Sequence, residues 1–216
     1  MVRLDIFSDP ICPWCFIGKK NLDDALVSSP TDILDIRWHP FQLNPNMPSE
    51  GMDRRAYLED KFGGKEGAVK AYTPIVLHAE SSGLSINFEA IKRTPNTLNA
   101  HRLIHWAEAD GVQTTLVQAL FIAYFEKGYD LGDIDVLVDV AQVSGMDRTA
   151  VKQMLNTDSD LNDVKERDAS SRRMGLTGVP AFIVGGKHVI KGAQAPDLWK
   201  RVLNDSKEQM ERQDVS

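Results

Sequence analysis

The chain has 216 residues, 42% of them apolar, and 25 basic against 31 acidic side chains give it a formal charge of −6. That is enough length and apolar content for an ordered domain that needs no cross-link to hold its core. An acidic balance without a Lys/Arg block argues against nucleic acid or an anionic membrane as partner, and no apolar run approaches the roughly 20 residues that span a bilayer.

Residues 2 to 7 alternate apolar Val2, Leu4 and Ile6 with Arg3 and Asp5, which predicts a strand at the very start and not a secretory signal. A cytoplasmic protein is the expectation that follows. "CPWC" comes next, with Cys12 as a helix N-cap and Pro13 as the first helical residue, where its missing amide costs no hydrogen bond. "ILDIRWH", 33 to 39, puts Leu34, Ile36 and Trp38 on one face and completes a βαβ unit.

From Met52 to Gly175 the periodicity is helical. "TLVQALFIAYFEKG" carries Val117, Leu120, Phe121 and Tyr124 on one stripe and ends at Gly128, and "IDVLVDVAQVSG" carries Ile134, Leu137, Val138 and Ala141 before Gly145. Pro74 is expected to kink or interrupt a further helix. Strand signals return with "AFIV" and "HVIK" around a Gly185–Gly186 turn, a hairpin followed by an amphipathic helix with Leu198, Trp199, Val202 and Leu203 on its apolar side. The fold class expected is therefore α/β: a small sheet of βαβ and ββα halves, residues 1–51 and 176–216, with a large all-helical insertion, 52–175.

Cys12 and Cys15, the chain's only two cysteines, sit at i and i+3, which brings side chains on a helix to about 5–6 Å and lets a disulfide close with little backbone movement. So short a loop makes a poor structural staple, because closing it removes little entropy from the unfolded chain. A metal site needs further ligands, and only His101 and His105 form a close histidine pair, so no metal is expected. The redox reading has a mechanism: unpaired amides and the dipole at a helix N-terminus favour thiolate at Cys12, which is expected to be exposed, while Cys15, one turn in, is the resolving thiol. Asp9, three residues before Cys12, is expected to be a solvated carboxylate. Val179–Pro180 precedes the hairpin; a cis bond there would free the edge of Val179 for an extended peptide, whereas a trans strand-leading proline is equally permitted.

The blocks "DPICPWCFIGKKNL", "RWHPFQLNPNMP", "RTPNTLNAHRLIHWA", "ALFIAYFEKGYDLGD" and "GLTGVPAFIVGGKHVIKGAQ", in this order, resemble the DsbA family of thioredoxin-fold oxidoreductases. They are most similar to its FrnE-like branch, which is grouped with 2-hydroxychromene-2-carboxylate isomerases and kappa-class glutathione transferases. The similarity runs from about Leu4 to Leu203. It implies a thioredoxin-like fold with a helical insertion, Cys12 as nucleophile, Cys15 as resolving thiol and Pro180 as a cis-proline beside them. Pro13, Trp14 and Val179 would contact substrate, with Phe41, Asn44 and His101 lining the same cleft or packing the insertion on the sheet. DsbA itself has histidine where this chain has Trp14, and a neutral indole supplies no positive charge. A couple less oxidising than DsbA, at about −120 mV, is expected.

The leading reading is thus a thiol:disulfide oxidoreductase or isomerase without a built-in cofactor, acting on disulfide-containing proteins or peptides and exchanging with glutathione or thioredoxin. A glutathione-dependent isomerase or transferase is the main rival, although that branch carries serine at the position of Cys12. The second is a peptide-binding, chaperone-like module.

Overall fold

A computed structural model describes residues 1–27 and 33–214. Strand β1 (Val2–Ser8) leads through a short turn into α1 (Pro13–Val27), and β2 (Leu34–Pro40) follows. β1 pairs parallel with β2, Val2 opposite Leu34 and Ser8 opposite Pro40. Far along the chain, β5 (Ala181–Val184) and β6 (His188–Lys191) form the expected hairpin, with Gly185 and Gly186 both at positive φ in its turn. β5 runs antiparallel to β1, which gives a four-stranded sheet in the order β2-β1-β5-β6. β1, the first strand of the chain, therefore lies inside the sheet, and both its faces are covered from Leu4 onward.

Alternation decides what each face meets. Leu4, Ile6, Phe182 and Val184 belong to the main core with Phe16, Leu22, Trp199 and Leu203, so α1 and the last helix, α9 (Pro196–Asp214), share this side. Phe182 and Trp199 meet edge to face with ring centroids 4.7 Å apart. Each such fully buried side chain contributes on the order of 1.5–3 kcal/mol. The opposite face carries Phe7, Ala181 and Ile183 against Phe41 and Leu176. The free edge of β2 is closed at Trp38 by the side-chain amide of Gln113, which accepts from the Trp38 amide (2.9 Å) and donates to its carbonyl (3.2 Å).

Between β2 and β5 the chain is helical apart from one two-residue ladder, β3 (Met52–Asp53) with β4 (Arg93–Thr94). The helices are α2 (Arg54–Phe62), α3 (Lys65–Ser81), α4 (Leu98–Trp106), α5 (Gln113–Phe121), α6 (Ile134–Val143), α7 (Arg148–Leu155) and α8 (Leu161–Arg173). The Asp53, Asp133 and Asp147 side chains cap α2, α6 and α7.

Two expectations need correction. α3 runs through Pro74 as one helix, so of the kink or interruption expected there the interruption does not occur: burial of Ile75 and Ala79 beside Ile17 of α1 outweighs one lost backbone hydrogen bond. The stripe Val117, Leu120, Phe121 and Tyr124 is fully buried, but not on one α-helix: α5 passes into a π turn at Ile122–Glu126. The wider turn lets Ala123, Tyr124 and Phe125 all face inward, and Phe125 and Phe121 stack on Phe16 of α1 at 5.6 and 5.2 Å.

Candidate active site

Pro13 begins α1, and the Cys12 carbonyl accepts from the amides of Cys15 (3.0 Å) and Phe16 (3.2 Å), so Cys12 stands at the helix N-terminus as its sequence position dictates. Its own amide donates to the Asp9 carbonyl at 2.9 Å, which folds the 9–12 turn under the helix. Both cysteines are unbridged thiols, next to one another. Cys12 is 3% exposed, more covered than expected, since the Val179 segment lies over it: Cys12 Sγ donates to the Val179 carbonyl at 3.7 Å. Cys15 is 2% exposed, and burial together with the neighbouring Cys12 pushes its thiol well above the ordinary value, while Ser8 and the Asp9 backbone act in the opposite sense.

The Val179–Pro180 bond is cis. Pro180 packs on α1 at Gly18, where a Cβ would stand only 3.2 Å from Pro180 Cγ, so the missing side chain sets how closely the proline segment seats beside the cysteines. Trp14 is half-buried and meets the exposed His78 of α3 edge-on at 5.1 Å. Pro13 is buried. Asn44 is half-buried; its Oδ1 accepts from Tyr57 (2.8 Å) and Lys61 (3.2 Å) of α2, and its Nδ2, itself buried, has no partner among the described residues. Nearby, the buried Arg54 donates to the hydroxyls of Tyr72 and Tyr124, 3.2 Å each.

Phe41 and His101 do not face open space. Phe41 lies under Val179 in the minor core with the Arg172 guanidinium stacked 4.1 Å over its ring. His101 is 2% exposed and looks at Asp9.

Asp9 is the main correction. It is 0% exposed, not solvated. Its Oδ2 accepts from the Leu43 amide at 2.6 Å and lies 3.5 Å from Thr97 Oγ1; its Oδ1 takes a longer bond, 3.3 Å, from the Ile11 amide. The two blocks around Phe41–Asn44 and Asn96–His101 thus converge on this carboxyl, and Gln42 Nε2 reaches Asn96 and Thr97 at 3.4 Å. Behind them, Asp168 of α8 accepts from the Gln42 amide at 2.6 Å, and Arg172 bonds both Asp168 and the Gln42 carbonyl. None of Gln42, Thr97, Asp168 or Arg172 was singled out by chemistry in the sequence; the first two lie within conspicuous blocks, the last two carry no local signal.

Burial pushes the Asp9 carboxyl up to about 7 against the three donors that favour its charge. In an unfolded chain the same group titrates near the ordinary 3.9. Between those pH values the folded protein holds a proton that the unfolded chain has lost, so the stability associated with this group is fully present below about pH 4 and declines until about pH 7. The decline amounts to roughly 4 kcal/mol. Denaturant midpoints measured from pH 4 to 8 are expected to fall less steeply for Asp9→Asn than for the wild type; parallel curves would contradict a buried carboxyl here.

A cavity of about 600 Å³ lies between the start of β1, the hairpin turn and α9, at the end of the sheet away from the cysteines. Among the described residues no helix is long and apolar enough to cross a membrane, and no cluster of three potential metal ligands occurs.

The model of the DSBA-like thioredoxin domain matches residues 3–204, nearly the whole chain. The chain belongs to this family. Within the DSBA-like fold, a probable DsbA oxidoreductase from Streptomyces coelicolor superposes with a TM-score of 0.85 at 26% identity, covering 96% of this chain and 91% of that one. The Bacillus subtilis (strain 168) protein YwbO, described as uncharacterized, is 29% identical over 206 residues, 94% of this chain and 96% of its own. The cytosolic disulfide reductase DsbM from Pseudomonas aeruginosa, solved with GSH, shares the fold at 18% identity and a TM-score of 0.67, over 95% of this chain and 99% of that one. The DSBA-like assignment supports an oxidoreductase or isomerase kind of activity on thiols and disulfides.

Proposed function

We propose that the protein is a thiol:disulfide oxidoreductase or isomerase that works through Cys12 and Cys15, in the cytoplasm, with no built-in cofactor. The observation that carries this reading is the pair of adjacent free thiols at the α1 N-terminus with the Val179 backbone against Cys12. The Cys12 thiolate attacks one sulfur of a substrate disulfide, forming a mixed disulfide and releasing the other half as thiolate. Cys15, having lost its proton, then attacks the Cys12 sulfur; the Cys12–Cys15 disulfide forms and the second substrate thiolate leaves. Two electrons have passed to the substrate, and the same steps reversed oxidise a dithiol. We assign the proton that Cys15 gives up to Asp9, because it is the buried carboxyl on the turn that leads into the cysteines and its backbone bonds the Cys15 thiol.

Val179 offers backbone to an extended peptide, and Pro13 and Trp14 form the rim next to Cys12. On the α2 side, the exposed Lys61 is bonded to Asn44 and Tyr57 and has no carboxylate partner among the described residues, a cation suited to a carboxylate-bearing thiol such as glutathione as redox partner. The FrnE-like branch remains the placement that the sequence blocks support.

Equilibration with glutathione redox buffers, read by thiol trapping, tests the reading. The wild type is expected to form the 12–15 disulfide with a potential more negative than about −120 mV, because Trp14 brings no charge to stabilise the reduced form. Failure to form the bond would exclude dithiol chemistry and favour a glutathione-dependent isomerase.

A further inference from the structure

We propose that His101 is a positioning residue that holds the proton of neutral Asp9, through a hydrogen bond from Asp9 Oδ1 to His101 Nε2, and thereby places the pH at which the dithiol works. The consequence for the dithiol rests on the function proposed above; the hydrogen bond does not.

Three observations lead there. His101 Nε2 is a buried nitrogen without a partner among the described residues, a costly state for a polar atom. The atom it faces, Asp9 Oδ1, is 3.9 Å away, beyond a hydrogen bond but closed by a side-chain shift of about 1 Å. The two oxygens of Asp9 are also unequal. Oδ2 is occupied by the Leu43 amide at 2.6 Å with Thr97 beside it, whereas among the described residues Oδ1 takes only the long bond from Ile11. A proton on Asp9 therefore sits on Oδ1, the oxygen that looks at His101.

The charges around the pair fit this assignment. Asp168 from α8 repels a charge on Asp9, partly offset by Arg172, which is bonded to Asp168. Tyr124 from the π turn feels Asp9 and is itself pushed up by burial; its hydroxyl is engaged with Arg54 and the Arg93 carbonyl. Cys15 from α1 is likewise held neutral. Burial pushes His101 down to about 3, so its ring stays neutral, and in the tautomer with the proton on Nδ1 its Nε2 accepts. A neutral carboxyl donating to a neutral imidazole is the pairing that such a dry site favours.

The arrangement makes His101 a stabiliser of the protonated acid. Removing its acceptor nitrogen lowers the pH at which Asp9 ionises, and the acid limb of mixed-disulfide resolution moves with it. Carbon-13 carboxyl titration of Asp9 by NMR, in the oxidised protein, reads the bond without turnover. His101→Leu is expected to lower the Asp9 midpoint by about one pH unit, a tenfold change in proton affinity, whereas His101→Gln, whose carbonyl can accept, stays near the wild type. An unchanged or raised midpoint in His101→Leu, or in the Gln variant the same fall as in Leu, would overturn the bond. The pH dependence of glutathione release from Cys12 is expected to shift in parallel. A shifted Asp9 midpoint with an unshifted release profile would overturn the link to the dithiol while leaving the redox function standing, and a protein with no release at all at any pH would instead refute that function.

Discussion

Cys12→Ser is expected to abolish disulfide exchange, with a loss of at least about a thousandfold in turnover, because an alcohol is hardly ionised near neutral pH where a thiol at a helix N-terminus is the attacking group. The substitution removes one buried sulfur and leaves the Val179 carbonyl a hydroxyl to bond with, so the fold should be retained. Turnover of a glutathione mixed disulfide, followed by thiol release at constant pH, is the direct assay. Residual activity within tenfold of the wild type would mean that the attacking sulfur belongs to the substrate or to glutathione, as in a glutathione-dependent isomerase.

Phe16→Ala is expected to be the most damaging single change to stability, at about 3–5 kcal/mol. Phe16 is 1% exposed and sits one residue beyond Cys15, and its ring stacks on both Phe121 of α5 and Phe125 of the π turn, which also touch one another. These contacts join the helix that carries the cysteines to the helical segment between β2 and β5. Truncation leaves a cavity lined by rigid rings, which cannot collapse cheaply. Denaturant unfolding monitored by circular dichroism gives the number; a loss below about 1 kcal/mol would show that the two parts are held together elsewhere.

What was legible in the sequence followed from local pattern. Alternation at Val2, Leu4 and Ile6 and at Leu34, Ile36 and Trp38 marked the strands, Pro13 marked the start of α1, and paired glycines marked the hairpin turn, because each of these is decided within a few residues. The i, i+3 spacing placed Cys12 and Cys15 on one helix face for the same reason. The surroundings of Asp9 were not legible. Its partners come from 34 and 88 positions away, and the Gln42–Asp168 bond behind them spans 126. A carboxylate near a helix start is ordinarily a solvated, favourable charge, and only the tertiary fold turns this one inward. The covering of Cys12 by Val179, 167 residues on, escaped for the same reason. Pro74 and the π turn at Ile122–Glu126 illustrate the complementary failure, in which packing against α1 overrides a local rule.

The unequal roles of the two cysteines are tested most directly by Cys15→Ser incubated with glutathione disulfide and examined by intact-mass measurement and peptide mapping. A stable adduct of one glutathione per chain is expected, attached to Cys12 and released only by added thiol, since the group that would resolve it is gone. No adduct, or an adduct that clears at the wild-type rate, would contradict a mechanism in which Cys12 attacks and Cys15 resolves.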